Sequence, residues 1–393
     1  MSSNPVNENI VIVSAVRTPM GGFQGDLSSV PVVELGTVAI KAALERAGVA
    51  SDQVSEVIMG CVLPAGTGQG PARQSAVGAG IPVSVPTTTV NKLCGSGMKT
   101  VMLGASQLKT GEADVVVAGG MESMSNAPYM LDKARSGMRI GHGQVKDHMF
   151  TDGLEDAYTG KAMGVFAQQT ADRFDLTRDA MDDYALASLD RAKKAIETGA
   201  FKDEIVPVET RKGLIAIDEQ PGKARPEKIR QLRPAFAKDG SVTAANSSSI
   251  SDGAAALVLM RESDAVAKGL QPVARIVGYQ SHAQKPEEFT IAPVDCTRKL
   301  LEKIDWQASD VDLFEVNEAF AVVAMMAMRE LGLDHNKVNI HGGACALGHP
   351  LGASGARILV TLLNALKKTG GKKGVASLCI GGGEATAVAI EMI

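Results

Sequence analysis

Apolar positions along the chain follow two periods, and each predicts a different element. Met98, Val101, Met102, Ala105 and Leu108 recur at helical spacing, so an amphipathic helix is expected there, ended by Gly111. ADVVVAGG from Ala113 and VASLCIGGG from Val375 are short apolar runs that stop at glycines, and both read as buried strands. AFAVVAMMAMRELG from Ala319 is apolar nearly all round and predicts a buried helix that stops near Gly332. DLTRDAMDDYALASLDRAKKAIETG predicts a helix with Thr177 as its N-cap, an apolar face through Met181, Tyr184, Ala185 and Ser188, and Gly199 as its stop.

These elements repeat. ALERAGVASDQVSEVIMG from Ala43 parallels LLEKIDWQASDVDLFEV from Leu300: a helix end, a polar turn, then a strand starting near Val57 or Leu313. SGMKTVMLGASQLKTGEADVVVAGGMES from Ser96 parallels the segment from Ser354, and IVIVSAV from Ile10 more weakly parallels VARIVGY from Val273. The partners keep their order and a spacing of about 260 residues, as a duplication does. Alternating strands and helices make each copy an α/β unit. The expected halves are residues 1–124, with 249–272 returning to them, and 273–393. Residues 125–248 have no counterpart and form a more charged, loop-like insert, suited to substrate binding, to oligomer contacts, or to both.

Composition narrows the function. The 393 residues are 45% apolar and 21% charged, which suits a packed protein of two or three domains. A net charge of -4 with only 4% aromatics argues against nucleic acid as partner. The five cysteines, Cys61, Cys94, Cys296, Cys345 and Cys379, are odd in number, widely spaced and without a CxxC pair. That points away from disulfides and zinc, and towards a reducing compartment. A polar start and the lack of a long apolar run fit a cytoplasmic, membrane-free protein.

The candidate chemistry sits where strands end. Cys94 lies in VNKLCGSGMK between a strand and a helix start, where the helix dipole favours a thiolate and Gly95 and Gly97 admit a substrate. A buried structural thiol is the alternative, but the glycine flanks and the repeat favour a nucleophile. His349, in GGACALGHPLGASGAR, is held by Pro350 and flanking glycines as a general base should be. His142, His148, His282, His335 and His341 lack metal-ligand spacing, so no metal site is expected. Cys379 ends an apolar strand before Gly381-Gly382-Gly383; it reads as a core cysteine or as part of a glycine turn whose N–H groups hold an oxyanion. Asn317 reads equally as an N-cap or as an amide that holds a water or a carbonyl.

Together VNKLCGSGMK, NEAFA, GGACALGHPLGASGAR and CIGGG, with GGMESMSNAPY and NSSSISDGAA, resemble the thiolase family in order along almost the whole chain. The resemblance implies a thiolase fold, with duplicated mixed-sheet halves in a five-layer core and a loop domain over the site. It implies reversible condensation of two acetyl-CoA into acetoacetyl-CoA and CoA, with no cofactor beyond these substrates. It implies Cys94 as nucleophile, His349 as its base, Cys379 as the acid/base at the α-carbon, Asn317 as holder of a water, and Gly381 as an oxyanion donor. By position, contacts to CoA fall on Met163, Phe236, Ala244, Ser248, Phe289 and Phe320, with core packing the alternative for the phenylalanines, and the run from Lys223 reads equally as a contact to the CoA phosphates or as a solvated surface run. A homodimer, doubled into a homotetramer in the short-chain branch, is implied as well. The chain departs from the short-chain pattern at Ala162, where histidine is usual, at His341, and at Glu384-Ala385 after the glycines. A longer-chain 3-ketoacyl-CoA thiolase is the alternative reading. A decarboxylating condensing enzyme is disfavoured by Cys379, and a binding protein without turnover by the full catalytic set.

Overall fold

The computed structural model describes residues 8–393. Most of the polar start of the sequence therefore lies outside the described residues. The first side of the main sheet is built from β1 (Ile10–Arg17), β2 (Glu56–Gly60), β3 (Thr87–Val90), β4 (Val115–Ser123) and β5 (Ser251–Arg261). Their order is β3-β2-β4-β5-β1. The second side has β6 (Ala274–Ala283), β7 (Leu313–Val316), β8 (Lys373–Ile380) and β9 (Glu384–Met392), ordered β7-β8-β9-β6. β1 and β6 join the sides through the pairs Val11 with Arg275 and Ile12 with Ala274. The repeat in the sequence thus reappears as one strand order used twice. The counterpart of β3 has shrunk to a single bridge between Phe314 and Val338.

The helices that cover these strands are α1 (Val32–Ala47), α2 (Ser96–Thr110), α3 (Met163–Arg173), α4 (Arg178–Glu197), α5 (Ala292–Lys303), α6 (Ala321–Leu331) and α7 (Leu351–Thr369). Strand residues alternate between faces, and both faces are buried. On β5, Ala254, Ala256, Val258 and Met260 pack towards α1, while Ala255, Leu257 and Leu259 join Met98, Val101, Ile358 and Leu362 in a central cluster. On β8, Ala376 and Leu378 join that same centre, while Val375 and Cys379 face Leu300, Val322 and Met326. The layers are therefore α1, sheet, α2 with α7, sheet, and α5 with α6.

The central layer packs backbone against backbone. A Cβ on Gly97 would lie 2.8 Å from Gly352 O and 2.9 Å from Ala356 N, and one on Gly355 would lie 2.4 Å from Met98 N. Only glycine lets the starts of α2 and α7 meet backbone to backbone. α4 is capped by Thr177, whose side chain accepts from Ala180 N–H, as its sequence predicts. α3 follows Ala162 without a side-chain cap, and its sequence signal is the buried face of Phe166, Ala167, Thr170 and Ala171.

The insert is held to the halves by a buried charge cluster at β1 as well as by apolar packing. Buried Arg17 on β1 meets Glu204 at 2.5 Å and Asp218 at 2.6 Å. Burial works against the guanidinium charge, but the two carboxylates outweigh it and raise its pKa.

Gly355→Ala should force α7 away from Met98. The expected cost is about 1–3 kcal/mol, read as a lower thermal midpoint, together with a fall in any activity that uses both helix starts.

Candidate active site

The turn between β3 and α2 is strained and heavily bonded. Leu93 has φ of 47°, a left-handed value that costs a leucine. The turn is held by Leu93 N–H to Asn91 Oδ1 at 2.9 Å, Lys92 N–H to Ser96 Oγ at 2.8 Å, and Gly95 N–H to Lys92 O at 3.0 Å. Cys94 sits at its tip, ahead of Gly95, and α2 begins at Ser96. Burial pushes the Cys94 thiol up to about 11, against the pull of two backbone N–H groups, those of Gly381 and of Cys94 itself, and with the buried Glu122 carboxylate adding to the rise. The lowered pKa expected from a helix start is therefore not what this environment produces; desolvation outweighs the dipole.

The second half supplies the imidazole. Ser354, one turn into α7, repeats the place of Ser96 in α2. Its hydroxyl donates to Pro350 O at 2.8 Å, which leaves its oxygen to accept from His349 Nδ1–H at 2.5 Å. That bond puts the proton on Nδ1 and leaves the Nε2 lone pair free. Among the described residues, Nε2 has no hydrogen-bond partner. Burial, with the charge of Arg357 helping, holds the imidazole down at about 3, so it is neutral at working pH.

Asn317 is not an N-cap. α6 starts at Ala321, with Phe320 in the cap position and no side-chain cap bond. The Asn317 backbone instead bonds Ser377 O, because the chain leaves β7 in an extended turn before the helix. Its amide nitrogen lies 3.5 Å from His349 Nδ1, and its oxygen lies 3.5 Å from Arg357 Nη2. Cys379 ends β8 fully buried; burial and the nearby Cys94 both raise its thiol.

Cys94, His349 and Gly381 share one cavity of about 380 Å³ with Met163, Phe236, Ala244, Ser248, Phe289 and Phe320. The three phenylalanines pack edge to face, with Phe320 centred 6.0 Å from Phe236 and 6.3 Å from Phe289. Asn317 and Cys379 are not among the lining residues; they lie buried beside those that are. Lys223 is not brought to the cavity either. Its ammonium pairs with Glu219, four residues back on the same short helix, and stands 3.9 Å from Asp26. Among the described residues, no group of three histidine, cysteine or acidic side chains could hold a metal ion.

The family model "Thiolase, N-terminal domain" matches residues 10–263, and "Thiolase, C-terminal domain" matches residues 270–392. The chain belongs to the thiolase family. It is 49% identical over 389 residues to the acetyl-CoA acetyltransferase of Pseudomonas aeruginosa, covering 98% of this chain and 99% of that one. It is 52% identical over 399 residues to acetyl-CoA acetyltransferase 2 of Arabidopsis thaliana, covering 100% and 98%. The crystal structure of the Bacillus anthracis acetyl-CoA acetyltransferase superposes with a TM-score of 0.95 at 44% identity, covering 98% and 99%. A thiolase from Ascaris suum in complex with coenzyme A gives 0.94 at 42% identity, covering 98% and 100%.

This thiolase site contains groups that the sequence reading passed over. Glu122, buried at the end of β4, accepts N–H bonds from Val62 at 2.9 Å, Leu63 at 3.1 Å and Gly352 at 2.8 Å. It thus ties the loop after β2 to the start of α7. Burial raises its carboxyl to about 7, against those three bonds. Its only signal was an acid inside an otherwise apolar strand end. Phe150 and Leu154, on a π-helical turn, add to the cavity wall.

With the thiol at about 11 and the imidazole at about 3, the resting proton belongs on sulfur. The thiolate fraction is small below pH 11 and grows about tenfold per pH unit towards it. Iodoacetamide alkylation of Cys94 should therefore climb steadily from pH 7 to 10, and His349→Asn should slow it at neutral pH. A rate already flat from pH 6 would mean a standing thiolate–imidazolium pair and would contradict this environment.

Proposed function

We propose that the chain is an acetyl-CoA C-acetyltransferase that joins two acetyl-CoA reversibly into acetoacetyl-CoA and CoA. The observation that carries the reading is the meeting, in one apolar cavity, of a cysteine from one half with an unpartnered imidazole nitrogen and a glycine N–H from the other. His349 Nε2 takes the Cys94 proton as the sulfur attacks the thioester carbonyl. The N–H groups of Cys94 and Gly381 hold the oxyanion. The C–S bond to CoA breaks, and the leaving sulfur takes the Cys379 proton. Cys379, now a thiolate, removes a proton from the methyl group of the second acetyl-CoA. Its high proton affinity suits that task. Imidazolium His349 and a water held by Asn317 steady the enolate oxygen. The enolate carbon attacks the acetyl group on Cys94, and the Cys94 sulfur leaves and regains its proton from His349.

On this reading CoA esters are substrates, and the reaction asks for no metal or other cofactor. Met163, Phe236, Ala244, Ser248, Phe289 and Phe320 would hold the pantetheine arm and the acyl group. Residues 1–124 with 249–272, and residues 273–393, form the two halves, and 125–248 form the loop domain over them. Pairing of β5 with β1 and β4 supports the return at 249–272. A homodimer doubled into a homotetramer, working in the cytoplasm, completes the proposal; no helix among the described residues is long and apolar enough to cross a membrane.

A preference for longer acyl chains is favoured by one feature: Ala162 lines the cavity beside Met163, where a larger side chain would narrow it. Thiolysis of 3-ketoacyl-CoA esters of rising length separates the two. Acetoacetyl-CoA should be cleaved fastest, and Cys94→Ala should lose about a thousandfold or more in kcat. Faster cleavage of longer esters would move the chain to fatty-acid breakdown. Full activity in Cys94→Ala would remove the nucleophile.

A further inference from the structure

One ion pair crosses the seam between the two halves of the site, and the mechanism above makes no use of it. Lys92 Nζ lies 2.6 Å from Glu384 Oε2, with the side chains 21% and 36% exposed. Lys92 stands two residues before the nucleophile, inside the turn forced at Leu93. Glu384 opens β9 directly after the glycine turn that presents the Gly381 N–H. Lys99, in the first turn of α2, has its pKa lowered by burial and by the charge of Lys92, against the pull of Glu384.

The seam matters because the two donors of the oxyanion hole come from opposite sides of it. Cys94 N–H belongs to the first half and Gly381 N–H to the second. Such a hole works only when both donors stand about 2.7–3.1 Å from the developing charge. Apolar packing brings the turns together: Ile380 lies against Gly95, and Leu93 against Gly381. Apolar contact is non-directional and leaves the register of the two surfaces loose. A charged hydrogen bond between the same two turns fixes it.

We propose that the Lys92–Glu384 ion pair is a strut that sets the spacing between the Cys94 sulfur and the Gly381 N–H, and that both residues are positioning residues for acyl transfer. The inference rests on Cys94 being the nucleophile. It assigns no chemistry to either side chain; they act through the backbone that each one anchors.

The test is a double-mutant cycle on acetoacetyl-CoA thiolysis with the full-length protein. Lys92→Gln and Glu384→Gln should each lower kcat about fivefold, with KM held within about twofold. The double variant should be no worse than either single one, because the strut is lost only once. Lys92→Arg, which keeps charge and reach, should stay close to wild type. Iodoacetamide alkylation of Cys94 should slow in the same variants, since the sulfur loses part of its N–H support. Unchanged kcat in both single variants, additive losses in the double variant, or a loss confined to KM would overturn the strut. Absence of turnover in the wild-type protein would instead sink the functional reading, and the alkylation rates alone would then decide the strut.

Discussion

The structure depends on the backbone contact between the starts of α2 and α7. Gly97 and Gly355 remove the side chains that would hold these helices apart, and the two halves of the duplicated chain close on each other there. Each helix carries at its start a loop with a chemically useful residue. Cys94 precedes one and His349 the other, so the contact that packs the core also brings a thiol into one cavity with an unpartnered imidazole nitrogen. Two serines at matching places, Ser96 and Ser354, then fix their loops, one by accepting from the Lys92 N–H and the other by accepting from His349 Nδ1–H.

The price of placing these groups in the core is their protonation state. Burial raises the thiol of Cys94 to about 11 and lowers the imidazole of His349 to about 3. A resting ion pair is disfavoured by both shifts, and the proton must move as the acyl carbonyl arrives. The N–H groups of Cys94 and Gly381 favour negative charge on the Cys94 sulfur, in a place where burial opposes it. Glu122 works beside them as a buried brace that ties the loop after β2 to the start of α7.

Much of this was legible in the sequence. The repeat announced two copies of one strand order, and the motifs around Cys94, His349, Cys379 and Gly381 marked the strand ends that the fold brings together. Met163, Phe236, Ala244, Ser248, Phe289 and Phe320 were placed by resemblance, and all six line the cavity. What stayed open has physical causes. Asn317 was compatible with an N-cap because sequence cannot show that the chain turns at Ala319 and is extended at Phe320 before the helix. The partner of Lys223, Glu219, lies on a short helix with little apolar pattern, so their pairing was not visible in the sequence. The helix dipole suggested an acidic thiol, but desolvation is set by the whole fold and not by the local helix. Arg17, Glu204 and Asp218 meet across nearly 200 residues of sequence, and nothing local marks such a pair.

The central claim is that the junction of the halves makes Cys94 the acyl acceptor. The most direct measurement is peptide mass spectrometry of the protein quenched in acid after brief exposure to acetyl-CoA alone. The account predicts a single acetyl group on the Cys94 peptide, formed more slowly in Cys379→Ser, where condensation is lost, and much reduced in His349→Asn. Acetyl found on Cys379, or none on Cys94 in a protein that still turns over, would contradict it.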